Sequence, residues 1–181
     1  MRGRDCGRAG DGDDRRSGME RVHAVFHHPL YRKCYCRLEE LEQDRKFCRH
    51  QMPHLLDVAR IAYILDLEQG AGIPRDVVYA AAILHDIGKY AQYEDGTPHE
   101  LAGRDIAAEI LESLPKDRRF SPEEREMILA AVQGHRRQRE GAQVLERLLY
   151  RADKASRMCF SCPAEQECDW SAEQKNMEPE I

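Results

Sequence analysis

Val78-Tyr79-Ala80-Ala81-Ala82-Ile83-Leu84-His85-Asp86-Ile87-Gly88-Lys89 is the stretch on which the architecture turns. Val78, Ala81 and Ala82 recur at helical spacing, and the next position of that apolar stripe is His85. An imidazole thus stands where packing calls for a hydrocarbon. Toward the C-terminus, Ile128, Ala131 and Val132 lead to His135 in the same way, and Asp153 joins the stripe of Leu145, Leu148, Leu149 and Ala152. Two further stripes begin rather than end on a histidine. His54 opens Val58, Ile61, Ala62 and Leu65, and His99 opens Ala102, Ile106, Ala107 and Ile110. Burying one unpaired polar group costs on the order of 2–7 kcal/mol. A single case reads as a satisfied core histidine. His54, His85, His99, His135 and Asp153 on separate helices, with Asp86 beside His85, call instead for a shared buried partner, and one metal centre satisfies them together.

The remaining punctuation is helical throughout. A short charged helix is expected over Leu38–Phe47, leading to the core. Pro53, in a first turn, opens the helix of His54, which runs to Gln69 and stops at Gly70-Ala71-Gly72. Pro74 opens the next helix, from Arg75 to His85, and Gly88 marks its exit. Thr97-Pro98-His99-Glu100 and Ser121-Pro122-Glu123-Glu124 both have the capping-box form with proline at the first helical position. They start the helices of His99, ending near Leu114-Pro115, and of His135. Gln143 to Arg157 forms the last helix. The sequence shows no internal repeat, no sustained alternating strand pattern and no glycine-rich phosphate loop.

At 181 residues the chain suits one domain with ragged ends. Residues 1–18 hold arginines, aspartates and five glycines without an apolar run, so they read as a disordered extension rather than a signal peptide, with Met19 as an alternative start. The bundle is expected over 19–158, and 159–181 as a cysteine-containing tail packed on it.

His54, then His85-Asp86, then Asp153 within Ala152-Asp153-Lys154 spell H…HD…D. This pattern resembles the HD-domain superfamily of metal-dependent phosphohydrolases, over about residues 48–158. The resemblance implies an all-α fold, the HD-domain helical bundle, and binding of divalent metal. With His99 and His135 the chain is similar to the six-ligand subset. There, His54, His85, Asp86 and Asp153 would hold one metal, and Asp86 would bridge to a second held by His99 and His135. The other role open to His99 and His135 is phosphate contact beside a single metal. Imidazoles and carboxylates suit Mn, Fe, Co, Ni or Zn, one or two ions per chain.

Lys89 follows the metal motif where related proteins place a phosphate-binding lysine. It reads either as a group neutralising phosphoryl charge or as a solvated lysine at a helix C-terminus. Asp57, one turn after His54, reads as a general base, as a partner for a histidine N–H, or as an ordinary first-turn aspartate. Arg136 and Arg137 can clamp a phosphate or belong to a solvated charge run with Arg139. The run from Leu84 through His99, Gly134-His135 and Tyr150-Arg151-Ala152-Asp153-Lys154 is also similar to bacterial HD hydrolases of symmetrical dinucleoside tetraphosphates. Cys168-Asp169-Trp170 lies outside that pattern. The Gly-Tyr-Pro extension of the cyclic-dinucleotide enzymes is missing, and Ile87-Gly88 departs from the paired acids of the long-alarmone hydrolases.

Seven cysteines without a secretory signal point to a reduced, cytoplasmic setting rather than a disulfide framework. Cys159-Phe160-Ser161-Cys162, followed by Cys168, has metal-like spacing but supplies three thiolates. Cys48 offers a fourth. It lies six residues before His54, as Cys159 lies six after Asp153, so antiparallel helices meeting at one metal carry both cysteines toward the same end. Such a set suits a structural zinc or a [4Fe–4S] cluster, the irregular run leaning toward iron–sulfur; the alternative is free thiols. Cys34 and Cys36 are too close for one tetrahedral metal, and neither they nor Cys6 receive a role.

The net charge of −5 argues against a broad nucleic-acid grip, and no apolar run is long enough to span a membrane. The function expected is hydrolysis of a small-molecule phosphoester or nucleotide by metal-activated water. Two other classes stay open: a di-iron HD oxygenase, and a redox- or metal-sensing regulator that uses the cysteines.

Overall fold

Three prolines, each at the opening turn of a helix, set much of the frame, since proline's fixed φ suits that turn and its missing N–H has no helical partner there. A computed structural model describes residues 18–179. The expectation of disorder for the N-terminal extension and the position of Cys6 lie outside these residues, Gly18 excepted. Among the described residues are eight α-helices and no strand: α1 (Glu20–Phe26), α2 (Pro29–Leu41), α3 (Met52–Gln69), α4 (Arg75–Leu84), α5 (Lys89–Glu94), α6 (His99–Ser113), α7 (Pro122–Gly134) and α8 (Val144–Ala155).

The charged helix expected over Leu38–Phe47 is really the end of α2. That helix begins at Pro29, where the His28 side chain caps it by accepting from Leu30 N at 3.2 Å, and it stops at Leu41. The helices α1 and α5 are too short, at seven and six residues, to show a full apolar period. One of the two capping boxes forms. Ser121 Oγ accepts from Glu124 N at 3.2 Å while the Glu124 carboxylate accepts from Ser121 N at 2.8 Å. The other does not, because α6 starts one residue late, with Pro98 as its cap. Thr97 N donates to Asp95 instead, and Glu100 turns toward Arg136.

The helix α3 lies against α4 and α8, and α7 packs on α4, α6 and α8. Close approach is possible because the contact faces are small: Ala59, Ala62, Ala81, Ala82, Ala131 and Ala152 have no exposed surface. Larger side chains, Leu84, Ile110, Ile128, Leu145 and Leu149 among them, fill the core between. Arg21 staples α1 to the bundle, its guanidinium 2.5 Å from both Asp76 of α4 and Glu124 of α7. This packing brings five helix ends to one pole. There α3 and α6 begin, α4 and α7 have just ended, and α8 runs its last turn.

Candidate metal centre

His85 and His135 are the residues that follow the last turns of α4 and α7, His99 is the first residue of α6, His54 sits in the first turn of α3, and Asp153 in the last turn of α8. All six residues expected as ligands, Asp86 included, are buried. Their ligand atoms fall into two groups, each with all members within 4.8 Å of one another: His54, His85, Asp86 and Asp153, and Asp86, His99 and His135.

Asp86 belongs to both groups through different oxygens. Its Oδ2 lies 3.0 Å from His85 Nε2 and 3.5 Å from His54 Nε2, while its Oδ1 lies 3.5 Å from His99 Nε2 and 3.7 Å from His135 Nε2. Asp153 Oδ1 closes the first group at 3.4 Å from His54 Nε2. His99 Nε2 and His135 Nε2 approach to 3.2 Å.

The far nitrogen of every histidine is engaged. His85 Nδ1 is 2.6 Å from Ala82 O, and His135 Nδ1 is 2.7 Å from Val132 O, so each is held to its own helix by a carbonyl three residues back. His99 Nδ1 meets Gln92 Oε1 at 2.6 Å, and His54 Nδ1 meets Ser156 Oγ at 3.0 Å. A carbonyl on Nδ1 fixes the proton there and leaves Nε2 as the lone-pair nitrogen, which is how protein imidazoles are prepared for metal. His85 Nε2 is buried without a hydrogen-bond partner, since its short approach to Asp86 lacks hydrogen-bond alignment. Four inward imidazole nitrogens, an orphaned one among them, and two carboxylates fit divalent metal ions. The C-terminal ends of α4, α7 and α8 add partial negative charge that favours a cation.

Burial drives the His54 pKa down to about 4 and the His99 pKa to about 3. Burial also opposes a charged His85, but the Asp86 carboxylate and Asp153 outweigh it, and the His85 pKa is raised. Burial raises both Asp86 and Asp153, and nearby cationic groups more than reverse this: His85 foremost for Asp86, Lys154 and Arg157 for Asp153, leaving both carboxyls well below their usual range.

A cleft of about 370 Å³ opens over the centre. Its wall carries Lys89, Arg136, Arg137, Lys154 and Arg157, besides Asp86 and Asp153. Lys89 is the first residue of α5, not the end of a helix, and burial lowers its pKa. Asp57 does not join the site. It lies half exposed on α3, 3.0 Å from Arg60, because its place one turn on from His54 faces outward.

Sequence reasoning missed three groups at the cleft. Arg157, buried, donates to His54 Nε2 at 2.9 Å and to Arg49 O at 2.9 Å. Lys154 contacts Asp153. His50 lines the cleft with Nδ1 2.5 Å from Glu42, a fully buried carboxylate that also accepts from His50 N at 2.7 Å and from Tyr93 OH at 2.8 Å. A polar residue four positions ahead of His54 was the one signal available for His50.

The HD domain family matches residues 53–158, more than half of the chain and the span that holds all six buried residues. The chain belongs to the HD-domain family. HD domains form a superfamily of metal-dependent phosphohydrolases with a helical fold, and the two clusters described above stand where this one would bind metal. The HD chain is 43% identical over 158 residues to an uncharacterized protein of Clostridium beijerinckii, covering 87% of this chain and 97% of that one. It is 28% identical over 103 residues to ribonuclease Y 1 of Pediococcus pentosaceus, covering 57% of this chain and 20% of the ribonuclease. No solved structure matches it. No helix among the described residues is long and apolar enough to cross a membrane.

Proposed function

We propose that this HD domain hydrolyses a small nucleotide or related phosphoester at a two-metal centre organised by Asp86. The observation that carries the reading is the pairing of two ligand clusters that share one carboxylate with a cleft whose wall is strongly cationic. His54, His85, Asp86 and Asp153 would hold one ion, and Asp86, His99 and His135 would hold a second. Divalent metal bound there would polarise a phosphoryl oxygen and lower the pKa of an attacking water.

The chain's own groups then divide the remaining tasks. Lys89 and Arg136, at the wall of the cleft, neutralise phosphoryl charge as it develops. Arg157 and Lys154 hold Asp153 ionised and so keep it a ligand. His50, its Nδ1 held by Glu42, has Nε2 left to exchange a proton with the leaving group. Trp170, at the cleft with Lys154 Nζ 5.1 Å from its ring centre, offers a face on which a base can stack. The name ribonuclease Y belongs to a protein of which the chain spans a fifth. A cleft of about 370 Å³ on a chain of net charge −5 suits a nucleotide, of the dinucleoside-polyphosphate kind included, better than a long RNA.

The test is phosphate or nucleotide release by protein loaded with manganese, cobalt, iron or zinc, assayed over nucleoside mono- and polyphosphates with and without dioxygen. Oxygen-independent release is expected, lowered more than about 100-fold in His85→Ala and Asp86→Ala, which should keep their helix content. Turnover retained in either variant, or oxygen-dependent turnover without phosphate release, overturns the proposal; the latter favours a di-iron oxygenase.

A further inference from the structure

Cys48 and three thiols of the tail, more than a hundred residues on, meet at a cavity beside the cleft. Cys48 stands in the loop before α3, and Cys159, Cys162 and Cys168 in the tail after α8. All four line one cavity of about 490 Å³. None of them is in a disulfide. They interact with one another: beyond the effect of burial, each of the three tail cysteines pushes the Cys48 thiol up.

The tail needs something to hold it. Over residues 158–179 the buried residues are Cys159 and Ala164. Its order rests on two 3-10 turns, Cys159–Ser161 and Glu165–Glu167, on an exposed and therefore weak ion pair of Glu167 with Lys46 of the Cys48 loop at 2.5 Å, and on hydrogen bonds such as Asn176 Nδ2 to Ala155 O at 2.8 Å and Phe160 N to Asn176 O at 3.1 Å. Ordering a residue costs about 1–2 kcal/mol in backbone entropy alone, and so little apolar burial does not offset that over the tail. A group that binds the tail to the Cys48 loop does.

We propose that Cys48, Cys159, Cys162 and Cys168 ligate a [4Fe–4S] cluster seated in this cavity. Spacing favours this over zinc. A tetrahedral zinc with bonds of about 2.3 Å draws its sulfurs to about 3.8 Å from one another. Among the described residues, the groups with ligand atoms all within 4.8 Å are the two at the hydrolytic centre, and the cysteines form no third. A cubane keeps four thiolates farther apart, because its iron–sulfide core lies between them. The cavity also supplies a suitable wall. Phe47 and Trp170 line it, and its four Arg and Lys side chains, Arg45 and Arg157 among them, outnumber its three carboxylates and so favour a negatively charged thiolate-ligated cluster. Arg157 and Trp170 line the hydrolytic cleft as well, so the cluster braces one of its walls. The binding itself does not depend on what that cleft hydrolyses.

The experiment is iron and acid-labile sulfide per chain in the full protein, purified anaerobically and reconstituted with iron and sulfide, with Mössbauer and EPR spectra of the same samples. About four sulfides per chain are expected, with spectra of a four-iron, all-thiolate cluster. Cys48→Ser and Cys162→Ser should lose the sulfide. His85→Ala, which empties the other centre, and Cys34→Ala, whose thiol lies outside the cavity, should keep it. Zinc without sulfide, no bound sulfide, or full sulfide in both serine variants overturns the proposal. If the serine variants do not fold, the wild-type spectra decide: a four-iron thiolate cluster sustains the assignment, and a sulfide-free protein defeats it.

Discussion

His85 has no exposed surface, its Nδ1 is tied to the Ala82 carbonyl, and its Nε2 points at Asp86 and Asp153 without a hydrogen bond. Those carboxylates raise its pKa against the effect of burial, so the metal-free protein holds a proton on His85 to higher pH than a free imidazole would. Metal must displace that proton, and its affinity therefore rises as pH climbs through the His85 pKa. His54, at about 4, and His99, at about 3, are already neutral near pH 7 and release nothing. Calorimetry in buffers of different ionisation enthalpy should detect proton release per manganese bound that is larger than in His85→Gln, the remainder coming from metal-bound water. Release unchanged in that variant would place the displaced proton elsewhere. The residues that meet at the centre were legible in the sequence because helical periodicity exposes a polar residue in an apolar stripe. For Asp57 the sequence left a general base, a histidine partner and an ordinary first-turn aspartate open, and its pairing with Arg60 in solvent agrees with the last. Arg157 and the His50–Glu42 pair were invisible because their partners, His54 and Asp153 for one and a fully buried Glu42 for the other, are contacts that only the tertiary fold creates.

Between elements, one close approach at the centre is backbone to backbone. A Cβ placed on Gly88 would lie 2.3 Å from Gly103 N and 2.4 Å from His99 O, both in α6. The Asp86–Lys89 turn can sit this near the start of α6 only because residue 88 has no side chain. Gly88→Ala should push α6 away and carry His99 with it. The expected result is a loss of about 1–3 kcal/mol in unfolding stability, read from denaturant titration, together with loss of the ion proposed for His99 and His135. An unchanged metal content would mean that the first turn of α6 is not held by this contact. Helix existence was readable wherever a stripe ran three turns, and boundaries wherever proline or glycine marked them, as at Pro53 and at Gly70 with its φ of 61°. The capping box at Thr97 was misread, since Pro98 and the Asp95 turn take up the backbone first. The reach of α2 back to Pro29 went unread although the His28-Pro29 pair marks its start.

At the scale of the molecule, the apolar core and the polar pole are separate. Ala62, Ile110, Leu145 and Leu149 pack away from solvent in the body of the bundle, while the six buried polar residues of the candidate centre gather where five helices begin or end. Emptying the centre should therefore abolish turnover and leave the helices standing. The shared carboxylate of Asp86 is what makes one centre of two clusters, and a count of metal on it is the measurement to make first. Metal-free protein refilled with manganese should bind two ions per chain whose EPR spectrum shows magnetic coupling, with both occupancy and coupling lost in Asp86→Ala. A single ion, or two uncoupled ions that Asp86→Ala leaves in place, would contradict the dinuclear centre.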